Sequence, residues 1–188
     1  MRIISGQFRN RALETPADET IRPTSDKTRG AIFNILEHRA WPAHPLLPTC
    51  HVADVFCGTG ALGLEALSRG VKHVTFIDNS RESLALTKAN IAKVKCANQC
   101  TLLKDDAHKL TIKTPQFDLV MLDPPYKMNL AEKTLLHFEK QGLLKKNTVI
   151  MLETQKGEAV ELPPSFDLQD ERSYGIATVH FYTYGTNA

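Results

Sequence analysis

The chain has 188 residues, 42% hydrophobic and 23% charged, with a formal net charge of +2 at pH 7. That length builds one well-buried domain, residues 1–188, and no apolar run approaches the roughly 18 residues that a membrane helix needs. The charge is too mild to announce a nucleic-acid binder by itself, and Met1–Gly6 lacks the apolar core of an export signal, so the expected location is the cytoplasm.

Residues 2–14 and the stretch around Thr20–Arg22 read as extended, with turn signals at Ser5-Gly6 and Pro16-Ala17-Asp18, which predicts a short N-terminal hairpin. Arg2, Arg9, Arg11, Arg22, Lys27 and Arg29 crowd this region, offset by Glu14, Asp18, Glu19 and Asp26. A helix starts near Thr24, Ser25 or Asp26 and buries Ile32, Ile35 and Leu36. Hairpin and helix form an N-terminal extension over residues 1–45. Three prolines between Trp41 and Thr49 impose a loop, and the catalytic core spans 50–188.

The core alternates. The pattern predicts strand 52–56, helix 61–69 stopped at Gly70, strand 72–77, helix 81–94, and strands 100–104 and 117–122. Helix 130–140 ends before Gly142, and strand 148–153 follows. Strands separated by helices imply right-handed crossovers and an α/β, Rossmann-like, mostly parallel sheet. The tail, 165–172 and 177–184 joined through Tyr174-Gly175, reads as an antiparallel hairpin at the sheet edge. Cys50, Cys57, Cys96 and Cys100 have no zinc-site spacing and read as reduced structural thiols, so no metal is expected. The seven histidines are scattered and take no assigned role.

Two strand ends carry chemistry. In Asp54-Val55-Phe56-Cys57-Gly58-Thr59-Gly60, the glycines permit a tight turn and close approach of backbone to a ligand. Asp78-Asn79 ends the next strand, where a carboxylate can accept hydrogen bonds from ribose hydroxyls, and Asp106-Ala107 follows the third. The alternative is that Asp78 and Asp106 merely cap the helices after them. The glycine pattern also suits a dinucleotide. Asp54, read as pointing towards the ligand, would repel a pyrophosphate and attract a sulfonium or ammonium cation, which favours S-adenosylmethionine (SAM). The candidate cofactor set is Asp54, Phe56, Gly58, Gly60, Asp78, Asn79, Asp106 and Ala107.

The second strand end is Asp123-Pro124-Pro125-Tyr126, the candidate catalytic loop. An exocyclic amine on a base is a poor nucleophile because its lone pair is delocalised into the ring. The Asp123 carboxylate and the Pro124 carbonyl can each accept one N–H, turning the nitrogen lone pair towards the methyl carbon. Consecutive prolines stiffen the loop without consuming acceptors, and Tyr126 offers a face for stacking a base.

These loops resemble the class I SAM-dependent amino-group methyltransferases. Arg2-Ile3-Ile4-Ser5-Gly6, Arg22-Pro23-Thr24-Ser25-Asp26 with Arg29, Ala31-Ile32-Phe33-Asn34-Ile35-Leu36 and the 54–70 segment are more closely similar, over most of the chain, to the RsmD family. Its members are bacterial enzymes that methylate guanine N2 in 16S rRNA, of the guanine-966 type. The resemblance implies a seven-stranded sheet, cofactor contacts at Gly58, Gly60, Asp78 and Asp106, a catalytic loop at 123–126, and a 30S subunit or assembly intermediate as substrate. Gly30 stands where that pattern leads to Glu, and Cys57 where it leads to Ala. The chain is small for an elaborate reader, so Arg9, Arg11, Arg22 and Lys127 are expected to grip phosphates, with Arg22 and Thr24 at the rim of the base pocket and the chain acting as a monomer. A DNA adenine or cytosine amino-methyltransferase shares this loop chemistry. A protein glutamine methyltransferase would carry Asn at position 123, and a non-catalytic RNA-binding assembly factor would bind RNA without transferring methyl.

Overall fold

The computed structural model describes residues 1–16, 25–112, 114–125 and 129–185. Helix α1 spans Asp26–His38, and Ser25 caps it, its Oγ accepting from Thr28 N at 3.1 Å. Its buried stripe is Arg29, Ile32, Phe33 and Leu36, the i, i+3, i+4, i+7 spacing of one helix face. Ile35 lies off that stripe and is only half-buried, so Phe33 takes the core position expected of it. Arg29 is fully buried rather than part of a basic surface; its guanidinium donates to Asp26 Oδ1 at 2.8 Å and to the Arg2 carbonyl.

The alternation continues with β1 (His51–Val55), α2 (Ala61–Ser68), β2 (His73–Asp78), α3 (Arg81–Val94), β3 (Cys100–Lys104), β4 (Phe117–Leu122) and α4 (Leu130–Lys140). Strands β5 (Leu144–Gln155), β6 (Phe166–Tyr174) and β7 (Ala177–Tyr184) complete it. They form a seven-stranded sheet of order β3-β2-β1-β4-β5-β7-β6. The first five in that order are parallel, and β7 runs antiparallel to both β5 and β6. The near-continuous apolar runs in β1, β4 and β5 follow from burial on both faces. One core packs α1, α2 and α3 against the sheet around Phe33, Leu64, Phe76 and Met121. The other packs α4 against the opposite face around Phe117, Leu122, Leu135 and Phe138.

Two expectations need correction. The N-terminal hairpin is reduced to a single bridge, Arg2 to Ala12, supported by Ile3 N to Arg11 O at 3.0 Å and Asn10 N to Ile3 O at 2.9 Å. Its backbone is held instead by α2, where Glu65 accepts from Ile4 N at 2.7 Å and Ser5 N at 3.1 Å. The stretch Thr20–Arg22 lies outside the described residues. Strand β5 begins four residues before the expected 148, because Leu144 pairs with Phe117 and a left-handed Asn147 (φ +68°) absorbs the register shift that follows. No helix among the described residues is long and apolar enough to cross a membrane.

Candidate active site

The parallel register sets Val55 beside Ile77 and Leu122, Leu122 beside Leu152, and Ile77 beside Leu103. All five parallel strands therefore end at one edge, where an open α/β sheet places its ligands. Past Val55 the chain turns at once, with Phe56, Gly58 and Gly60 all at positive φ (60°, 53° and 76°). A left-handed Phe costs roughly 1–3 kcal/mol. It is held there by Ile77 O, which accepts from both Phe56 N (2.9 Å) and Cys57 N (3.2 Å). At Gly60 a Cβ would stand 2.8 Å from Thr87 Cγ2, so only glycine fits both the conformation and the space.

The loop is braced from β2 and α3. Asp78 Oδ2 accepts from Gly58 N at 3.0 Å and Oδ1 from Ser80 N at 2.9 Å. Thr87 Oγ1 donates to Gly58 O at 2.9 Å, and Asn90 Nδ2 to Thr59 O at 2.9 Å. Asp78 does not cap α3; Ser80 does, through Ser83 N. A carboxylate oxygen accepts more than one hydrogen bond, so Asp78 keeps capacity for ligand hydroxyls. At the β3 end, Asn79 Nδ2 donates to Asp106 Oδ1 at 3.0 Å, and this bond holds the Asp106 carboxyl below its ordinary range. Asp106 makes no capping bond with its side chain, and Ala107 is buried. A glycine turn followed by acceptor-rich ends on two successive strands fits a nucleoside with free hydroxyls and an amino edge.

Asp54 differs from its reading as a ligand-facing charge. It is 1% exposed, and its Oδ2 accepts from Gly63 N, in the first turn of α2, at 2.8 Å. Burial pushes its carboxyl well above the ordinary range; the Gly63 bond pulls it back in part, and Asp123 and Asp78 add to the rise. The carboxylate that sequence reading turned outward is an anchor for the helix N-terminus.

Across from this loop, Asp123 follows β4 directly, its N–H donating to Val55 O at 3.4 Å. Asp123 is half-buried, Pro124 buried and Pro125 exposed. Pro124 and Pro125 line a recess with Ala131, Glu153, Thr154 and Val160. The cofactor-type loop of β1 and the acceptor loop of β4 thus end adjacent strands.

Residues 1–183 match the family described as Conserved hypothetical protein 95. The Haemophilus influenzae protein named Ribosomal RNA small subunit methyltransferase D is 33% identical over 186 residues, 97% of this chain and 93% of that one. Its Escherichia coli namesake is 32% identical over 97% of this chain and 89% of its own. The chain belongs to the RsmD family. The solved structure of the Escherichia coli protein yhhF superposes with a TM-score of 0.84 at 29% identity, covering 98% of this chain and 97% of that one. This is the class I methyltransferase fold.

Within that family frame, the structure brings together Phe56, Gly58, Gly60, Asp78, Asn79, Asp106, Asp123 and Pro124 at one edge. Arg22, Thr24, Tyr126 and Lys127 lie outside the described residues. Arg9 and Arg11 are exposed on the N-terminal segment strapped to α2. Sequence reading missed Thr87 and Asn90, whose bonds shape the glycine loop, and Glu153, 6% exposed in β5, two residues before the strand ends at Gln155. A polar residue inside an apolar stripe is the signal for the first two; Glu153 follows a continuous apolar run just as Asp123 does.

Proposed function

We propose that this chain methylates the N2 amino group of a guanine in small-subunit ribosomal RNA, of the guanine-966 type, with SAM as donor. It would act in the cytoplasm as a single-domain monomer on assembled or assembling 30S particles. The observation that carries the reading is the adjacency of two loops: a nucleoside-shaped cradle after β1 to β3, and Asp123-Pro124-Pro125 after β4, stitched to β1 through Asp123 N. The names of the relatives supply the ribosomal RNA.

Gly58, Gly60, Asp78, Asn79 and Asp106 would hold the cofactor. When bound, it supplies a methyl carbon whose bond to sulfonium breaks with the electron pair returning to sulfur. The chain's part is orientation. Asp123 and the Pro124 carbonyl accept the two N–H groups of the base, so the N2 lone pair faces the methyl carbon and the positive charge growing on nitrogen is offset. The surplus N2 proton leaves through the Asp123 carboxylate to water. Arg9, Arg11, Arg22 and Lys127 are the proposed grips on the phosphate backbone of a folded target, with Arg22 and Thr24 at the rim of the base pocket. A paired guanine must be flipped out to reach the loop.

Incubation with methyl-labelled SAM and, separately, under-methylated 30S subunits, naked 16S rRNA and duplex DNA, followed by nucleoside digestion, tests this. We expect labelled N2-methylguanosine from subunits, reduced roughly 10²–10³-fold or more by Asp123→Ala. Label in DNA, or none in any RNA, would refute it.

A further inference from the structure

Leu122 of β4 and Leu152 of β5 are register partners in a parallel pair. The next residues are Asp123, the first past the end of β4, and Glu153, still within β5, which runs on to Gln155 against β7; the register makes them neighbours across the β4–β5 seam. Glu153 is 6% exposed and lines the recess that Pro124 and Pro125 also line. A carboxylate can only accept hydrogen bonds, and this one sits one strand away from the group that orients the reacting nitrogen.

Guanine presents N1–H directly beside its N2 amino group, so two acceptors from neighbouring strands match two adjacent donors. Adenine has a lone pair at N1, which a carboxylate repels. We infer that Glu153 is the residue that selects guanine, accepting the N1–H of the base whose N2 amino group Asp123 and Pro124 orient. This assignment rests on the guanine-N2 reading above and adds to it the contact that distinguishes the base. A site built to hydrogen-bond a substrate group rejects an analogue lacking it far more strongly than a shape-selective pocket does.

The test uses 30S subunits reconstituted with 16S rRNA carrying either guanine or 2-aminopurine at the methylated position. 2-Aminopurine keeps the 2-amino group but has a lone pair at N1 and no oxygen at C6. Comparing the guanine to 2-aminopurine ratio of kcat/KM between enzymes cancels the C6 difference and any general loss of folded protein. Glu153→Gln offers an amide N–H to the N1 lone pair. It should lower kcat/KM on guanine by about tenfold to a hundredfold, the range for one charge-assisted hydrogen bond, and shrink the ratio by a similar factor. SAM affinity should be unchanged. Glu153→Ala should shrink the ratio as well, through loss on guanine alone. A ratio equal to that of the wild type in both variants overturns the assignment while leaving N2-methylguanosine formation intact. A wild-type enzyme that forms no N2-methylguanosine overturns the underlying reading and this inference with it.

Discussion

Two helix glycines in this chain have opposite surroundings. At Gly63 in α2 an added Cβ would lie 2.8 Å from both Phe76 Cζ and Val74 Cγ1, buried side chains of β2 that have nowhere to move. At Gly30 in α1 the nearest atom is Ile4 Cδ1 at 3.8 Å, an ordinary contact. Alanine gains about 1 kcal/mol of helix propensity at either site, but overpacking a core costs about 1–3 kcal/mol. Gly30→Ala should therefore stabilise the protein by up to ~1 kcal/mol. Gly63→Ala should destabilise it by ~1–2 kcal/mol and disturb the Asp54 bond to the Gly63 N–H. Urea denaturation of both variants checks this, and equal signs would show that the crowding at Gly63 is relieved. The room beside Gly30 also means that a glycine there costs helix propensity without being forced by packing.

At the level of elements, the N-terminal segment is riveted to the helices that frame the cofactor loop. Gln7 N donates to Ser68 O at 2.8 Å, and a Cβ on Gly6 would collide with that same carbonyl. Glu65, fully buried, takes Arg69 Nε at 2.9 Å as well as two backbone N–H groups, and Arg69 continues to Glu37 on α1 at 2.5 Å. Asn90 of α3 joins both systems: its Oδ1 accepts from Glu14 N (2.7 Å), while its Nδ2 donates to Glu14 O (3.1 Å) and Thr59 O (2.9 Å). Asn90→Ala removes all three bonds; exposed Glu14 can turn to water, but the carbonyl of buried Thr59 loses its donor, a loss of about 1–3 kcal/mol. Because Thr59 belongs to the glycine loop and Glu14 leads into the proposed RNA-binding stretch, SAM affinity and activity on subunits should fall together. Calorimetric Tm and equilibrium SAM binding measure the two effects, and an unchanged Kd would show that the loop holds its shape without this brace.

Over the whole molecule, histidine burial sets a pH dependence. His51, His73 and His180 each have a pKa lowered from the ordinary 6.5, chiefly by burial; Lys72 adds to this at His51, His51 itself at His73, and Glu171 opposes it at His180. Between the lowered folded values and 6.5 the unfolded chain holds more protons, so stability is full above about 6.5 and is lost as pH falls through the folded values. The Tm should therefore drop between pH 7 and pH 5.5. His73→Gln, which removes one titrating group of the His51–His73 pair, whose rings lie tilted with centroids 5.9 Å apart, should flatten that slope. A steeper or unaltered slope would assign the acid sensitivity elsewhere.

The alternation of strands and helices can be read from the chain alone, because that signal is local: the spacing of apolar residues, glycines at turns and prolines in loops. Helices 81–94 and 130–140 and strands 100–104 and 117–122 match their expected bounds residue for residue. The places of the glycine loop and of Asp123-Pro124-Pro125 at strand ends were legible for the same reason, since each is a run of consecutive residues. The surroundings of Asp54, Arg29, Asn90 and Glu153 emerge only once the elements pack together. Each is a polar group whose partner comes from another element: the start of α2 for Asp54, Arg2 for Arg29, Glu14 and Thr59 for Asn90. Glu153 stands beside Asp123 only because β5 pairs with β4 in the Leu122 to Leu152 register. A register between strands some thirty residues apart is chosen by packing across the whole sheet, and no local pattern encodes it.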